Sequence, residues 1–278
     1  MKHDANPLPP AQPKTLIDMG TFAPPGHVCL VGAGPGDPEL LTLKAVRAIG
    51  EATLLLVDDL VSDAVLAYAA PGARVVHVGK RGGCKSTPQD FILRLMLRSA
   101  RQGHRVVRLK GGDPFIFGRG GEELDYRRRA GIEVQVVNGI TAALAAAAAL
   151  GASLTHREHA HGVMFVTGHA KPGARGPDWR LLGATARDAK LTLVIYMGVS
   201  GAADMQAHLL EALPSATPTA IVQEASLATQ RQAVCTLGTL CETIAREGLA
   251  SPSVIVIGDV VGGVAAAQSA RNSELHAA

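Results

Sequence analysis

The sequence predicts an α/β protein, and three observations carry that prediction. From His27 onward, short Val/Leu/Ile runs alternate with segments of helical periodicity, the pattern of parallel or mixed sheets covered by helices. The intervals between neighbouring runs are long enough for a crossover helix. Glycine-rich strings follow several of the runs, where tight strand-to-helix turns belong. With 278 residues, 47% of them hydrophobic, the chain can bury a sizeable core in one large domain or two of ordinary size.

The first series of strands is expected at 28–31, 53–57, 74–78, 105–109 and 134–137, which makes one five-strand unit. Two helix starts stand out. Asp37 and Pro38 precede a segment ending near Ile49, and Thr87 and Pro88 precede 91–101. Gly50 and Gly103 stand where those helices are expected to stop. An alanine-rich helix at 141–150 closes the unit, and a second series follows at 163–167, 191–196, 219–222, 233–237 and 254–257. This divides the chain into a proline-rich flexible tail (1–26), an N-terminal α/β domain (27–151), a C-terminal α/β domain (152–263) and a second flexible tail (264–278).

Composition excludes several classes. The net charge of +3 is the balance of 27 basic and 24 acidic residues, and aromatics are only 3%, so no nucleic-acid surface with stacking platforms is expected. Cys29, Cys84, Cys235 and Cys241 form no CxxC pair, which argues against a zinc site or a disulfide framework. The first 26 residues lack the apolar core of a secretory signal, and no stretch suits a bilayer span. A cytoplasmic protein without membrane insertion is expected.

Two glycine-rich strings carry the chemistry. The first, 31–43 (VGAGPGDPELLTL), leaves a strand and enters a helix, so a dinucleotide-binding turn is the first alternative. It fails because Asp37 stands where that fingerprint needs its third glycine, and its carboxylate would repel a pyrophosphate. Pro35 also lacks a backbone donor. The second string, 108–123 (RLKGGDPFIFGRGGEE), follows the fourth strand. Its glycines permit close approach to a ligand. Asp113 is read either as an acceptor for a ligand's amino or hydroxyl group or as a turn-forming residue. Arg119 and Glu122, three apart at a helix start, are read on their own as a surface ion pair.

These strings, with 58–62 (DDLVS), 79–82 (GKRG), 139–143 (GITAA) and 154–160 (LTHREHA), resemble the tetrapyrrole methylase family, and most closely its uroporphyrinogen-III-methylating branch. The resemblance runs from about Val28 to Val261. It implies two α/β domains of the class III methyltransferase fold with S-adenosylmethionine folded in the cleft between them. It places the donor against Pro35, Gly111, Gly112, Asp113, Ile116, Thr141 and Ala142 from the first domain, and Met197 and Ala225 from the second. The family often has glycine at the position of Ala225.

By the same resemblance Asp58 is the proposed proton acceptor and Lys80 the proposed donor, both at strand ends on one sheet edge. Val57 and Asp59 depart from the aromatic and arginine that usually flank the aspartate. The substrate would be a polycarboxylate tetrapyrrole, whose acetate and propionate arms favour bidentate arginines, with Arg119 and Arg157 as anchors. Glu122 would orient one of them, hold a pyrrole N–H or deprotonate substrate. His156, His159 and His161 raise a metal reading, which is set aside because no cysteine or carboxylate completes the set and the reaction requires no metal. The resemblance also implies a homodimer and two successive methylations giving precorrin-2, a branch point for sirohaem, cobalamin and haem d1. The competing readings are a nucleotide-dependent oxidoreductase, a later corrin-ring or diphthine-forming methylase, and a non-catalytic binding module.

Overall fold

The computed structural model describes residues 24, 26–79, 87–169, 173 and 176–264. The expected Lys80 and Cys84, and all but a few residues of the two tails, lie outside the described residues. Two five-stranded sheets organise the rest.

The first sheet is wholly parallel. Its strands are β1 (Val28–Gly32), β2 (Leu54–Val57), β3 (Arg74–His77), β4 (Val106–Lys110) and β5 (Val134–Val137), ordered β3-β2-β4-β1-β5. Burial of β1, β2 and β4 on both faces explains their near-continuous apolar runs. One face packs Cys29, Val31, Leu55, Val57, Val107 and Leu109 against Ala45, Ala48 and Ile49 of α1 (Leu43–Glu51). The other packs Val28, Leu54, Leu56 and Val106 against Ile92, Leu93, Met96 and Ala100 of α2 (Gln89–Arg101) and Tyr126 of α3 (Gly120–Arg129).

The helix expected after Asp37 is two pieces. Asp37 accepts from Glu39 N–H and starts a 3-10 turn at Pro38–Leu40, while α1 itself begins after Thr42, whose hydroxyl accepts from Ala45 N–H. Gly50 does not stop α1, which runs through Glu51 and is closed by Ala52 in an extended conformation. Gly103 behaves as expected: it follows α2 at φ 86° and donates to Ala100 C=O.

The second sheet is mixed. Strands β6 (Gly162–Thr167), β7 (Leu191–Tyr196), β8 (Pro218–Gln223), β9 (Arg231–Thr236) and β10 (Ser253–Ile257) are ordered β6-β7-β10-β8-β9, and only β6 and β7 pair in parallel. Helices α5 (Trp179–Asp188), α6 (Ala202–Leu210) and α7 (Leu240–Glu247) cover one face through Trp179, Met205, Leu209 and Leu240. The opposite face receives α4 (Ala142–Leu150), whose Ala143, Ala146, Ala147 and Leu150 pack on Val194, Ala220, Val222, Val254 and Val256. Small alanine side chains let that helix lie close to the sheet. It therefore joins the end of the first sheet to the second core. Among the described residues no helix is long and apolar enough to cross a membrane.

Candidate active site

The site forms where the carboxyl ends of the first sheet's strands face the second sheet, the edge at which open α/β sheets bind ligands. A cleft of about 650 Å³ opens there, a size suited to a cofactor-sized molecule. Its first wall comes from the loops after β1 (Gly34, Pro35), β2 (Asp58–Ser62) and β4 (Gly111–Asp113, Ile116–Gly118) and from the start of α4 (Thr141, Ala142). Tyr196, Met197, Glu224, Ala225, Leu227 and the 251–254 segment form the second wall.

The first wall is drawn together by glycines. A β-carbon on Gly139 would come within 2.2 Å of Gly112 O, and one on Gly32 within 2.5 Å of Gly139 N, so three loops meet with no room for side chains. Gly34 and Gly112 exchange backbone hydrogen bonds of 3.2 and 2.7 Å, with Gly112 at φ 66°. Asp113 locks the seam. Its Oδ1 accepts from Phe115 N–H at 2.8 Å, and its Oδ2 accepts from Asn138 Nδ2 and Gly139 N–H, both at 3.1 Å. The turn-forming reading of Asp113 is thus realised in a residue that also lines the cleft.

The second wall is held against the first by Tyr196. Its hydroxyl accepts from Ala143 N–H at 3.1 Å, shares a 2.6 Å bond with Thr141 Oγ1, and so caps the first turn of α4. Its ring lies 5.0 Å from Phe117 of the β4 loop. Ser226 Oγ accepts from Asp37 N–H, and a β-carbon on Gly36 would strike Leu227. Phe117, Met197 and Glu224 all adopt left-handed backbone, φ 53°, 55° and 51°, a concentration of sparsely populated conformations around one cleft. Glu224 and Ser226 flank Ala225, which has no such requirement, so a methyl group at the usual glycine position fits the backbone.

All nine positions expected to hold the donor line this one cleft: Pro35, Gly111, Gly112, Asp113, Ile116, Thr141, Ala142, Met197 and Ala225. Asp58 lines it too, directly after β2 and about one-third exposed. Arg119, Glu122 and Arg157 do not line it. Arg119 (φ 58°) and Glu122 form an exposed bidentate pair at the start of α3, the shortest contact being 2.5 Å, and that bond holds the Arg119 guanidinium above its usual range. Arg157 is exposed in a tight turn closed by the His156–Ala160 bridge. Contrary to the expectation that no carboxylate would join the histidines, Glu158 gathers with His156 and His159 in that turn, and the two imidazoles stack at 4.5 Å with 14° between their planes. Parallel stacked rings cannot both aim an in-plane lone pair at one ion. His161 is not part of this group.

Sequence reasoning passed over two features of the site. Tyr196 was counted only as the end of a strand. Lys110, counted only as part of a string, lines the cleft floor yet is 3% exposed, its ammonium 3.2 Å from Glu123 and 4.0 Å from Asp58. Burial, then the neighbouring Arg108, lowers its pKa from the ordinary 10.5. The available signal was the alternation in 106–110 (VVRLK), which puts two cations on one face of a central strand. Among the described residues the cysteines offer no nucleophile, since burial pushes Cys29 up to about 12 and raises Cys235 and Cys241.

Comparison with known proteins agrees with this architecture. Residues 27–241 match the model of the Tetrapyrrole (Corrin/Porphyrin) Methylases, and the chain belongs to that family. Within it the chain is 53% identical to a uroporphyrinogen-III C-methyltransferase of Pseudomonas aeruginosa, over 84% of this chain and 94% of that protein. A crystal structure of uroporphyrin-III C-methyl transferase from Thermus thermophilus, complexed with S-adenyl homocysteine, superposes with a TM-score of 0.72 at 43% identity, covering 84% of this chain and 98% of that one. The chain is also 49% identical to siroheme synthase 2 of Aeromonas hydrophila over 85% of its own length, and it spans about half (49%) of that longer protein.

Proposed function

We propose that the chain transfers methyl groups from S-adenosylmethionine to carbon atoms of uroporphyrinogen III, on two adjacent rings, giving precorrin-2. The carrying observation is that the nine donor positions and Asp58, drawn from six separate loops, converge on one cleft. The relatives named above for uroporphyrinogen III methylation match this chain over most of both lengths, which supports the substrate.

The donor's sulfonium methyl is already electrophilic and a pyrrole carbon is nucleophilic, so the protein's task is in-line alignment away from water. The methyl carbon leaves sulfur with the sulfur retaining the bonding pair, and bonds to the ring carbon. The alkylated ring is then a cationic iminium. Loss of a proton from the neighbouring meso position restores the conjugated neutral system. In this reading Asp58 accepts it, which is supported by its position in the cleft lining 4.0 Å from Lys110. Lys80 remains the proposed donor. Arg119 and Arg157, exposed outside the donor cleft, would hold substrate carboxylates, and Glu122 would orient Arg119, as their ion pair suggests. The reading includes a homodimer in the cytoplasm, tested by sedimentation and fractionation. The product would feed sirohaem, cobalamin or haem d1 synthesis.

The test is anaerobic incubation with uroporphyrinogen III and S-adenosylmethionine, followed by mass. A gain of two methyl groups, lost in Asp58→Ala and Arg157→Ala, is expected. No gain despite bound donor moves the substrate to another tetrapyrrole.

A further inference from the structure

Asp58 belongs to a closed ring of alternating charge. Arg108 Nη2 lies 3.5 Å from Asp58 Oδ2, and Arg108 Nε 3.5 Å from Glu123 Oε1; Lys110 Nζ lies 3.2 Å from that same Glu123 oxygen and 4.0 Å from the same Asp58 oxygen. Two anions and two cations therefore sit at alternate corners. Three corners are sealed: the side chains of Arg108, Lys110 and Glu123 are 3%, 4% and 0% exposed, against 34% for Asp58.

The ring follows from the chain's local structure. Arg108 and Lys110 alternate with Val107 and Leu109 on β4, so both turn to the face covered by α2 and α3. Glu123 enters that space from α3, steadied by Gln89 Nε2 of α2 at 3.0 Å. Arg108 is braced by the carbonyls of Leu56 and Leu109 at 3.3 and 3.1 Å. Gly118 leaves the loop room to pass Lys110, since a β-carbon there would lie 3.2 Å from Lys110 Cε.

As a device for stability alone the arrangement is poor. Buried ion pairs seldom outperform hydrophobic packing, and Glu123 Oε2 and Arg108 Nε find no hydrogen-bond partner among the described residues. What the ring does accomplish is to fix one carboxylate at the mouth of a sealed, preorganised set of charges. We infer that Glu123, acting through Arg108 and Lys110, is a positioning residue that holds the Asp58 carboxylate in the cleft for proton removal. This rests on the reading of Asp58 as proton acceptor. Glu123 itself is fully buried and does not line the cleft.

The experiment compares Glu123→Gln, Lys110→Met, the double variant and Gln89→Met in the full chain. The double variant keeps the ring's net charge, so it is the one to trust if a single variant fails to fold. Gln89→Met, at the partly buried rim, perturbs Glu123 without removing a charge. In the folded double variant, kcat with uroporphyrinogen III is expected to fall by roughly tenfold to a hundredfold, the scale of an ångström-level misplacement, with substrate KM and S-adenosylhomocysteine affinity within about threefold. Gln89→Met is expected to lower kcat in the same sense and by less. A kcat within about twofold of wild type in both, measured where Asp58→Asn is slow, overturns the positioning role alone. Wild-type turnover in Asp58→Asn removes the proton-acceptor reading itself, and the inference with it.

Discussion

Glu122 and Glu123 are neighbours in sequence on the first turn of α3, yet they share almost nothing else. Glu122 is more than half exposed and pairs in solvent with Arg119, the left-handed residue just before the helix. Glu123 is fully buried and meets Lys110 from thirteen residues away and Arg108 from the same strand. One residue of helix advance, about 100°, separates solvent from core. The difference teaches that the weight of a charge is set by what remains when it is removed. Water replaces Arg119 as a partner for Glu122, whereas without Glu123 two buried cations are left with Asp58 as the ring's one remaining anion.

The largest expected effect is therefore Glu123→Ala, which removes the buried anion shared by Arg108 and Lys110, leaves them the contacts of 3.5 and 4.0 Å to partly exposed Asp58, and should lower unfolding free energy by about 3–5 kcal/mol in denaturant titrations. A loss under about 1 kcal/mol would mean that the buried cations find other partners and would erase the contrast with Glu122. The same rule applies across the cleft. Tyr196→Phe leaves Ala143 N–H and Thr141 without their shared partner, and should cost about 1–3 kcal/mol and weaken donor binding, read by calorimetry.

A pH series sharpens the comparison further. Folded Lys110 binds its proton less tightly than the unfolded chain, where the value is the ordinary 10.5. Its protonation thus costs stability below the lowered value, and that cost is relieved as pH rises from there to 10.5. Across that window wild type should gain stability relative to Lys110→Met; a flat difference would place the ammonium in water. The smallest stability effect belongs to Glu122→Ala, at most about 1 kcal/mol, since an exposed pair is weak. Its turnover of uroporphyrinogen III should nevertheless fall if it orients Arg119, so stability and activity would part company at adjacent residues.

Much of this was legible in the sequence. The strands of both sheets were readable to within one or two residues because apolar runs and helical segments alternate cleanly, and β5 and β7 fall where expected. The cleft-lining residues of the first wall were legible as strings, since glycines at strand ends are required wherever loops must touch, whereas Met197 and Ala225 stand in none of those strings. The 3-10 turn before α1 was less so: Asp37 and Thr42 are both good caps, and only packing decides which one starts the longer helix. Tyr196 was hidden because its partners Thr141 and Ala143 lie more than fifty residues away.

Taken by itself, the sequence determined the fold class, the succession of elements and the identity of the loops that bear chemistry, because those depend on periodicity and on backbone freedom within a few residues. Tertiary structure alone decided that α4 packs on the second sheet, that Tyr196 caps it from across the cleft, and that Asp58, Arg108, Lys110 and Glu123 close into one ring. Those outcomes depend on distances between residues far apart in the chain and on the exclusion of water between them, and neither is written in local pattern.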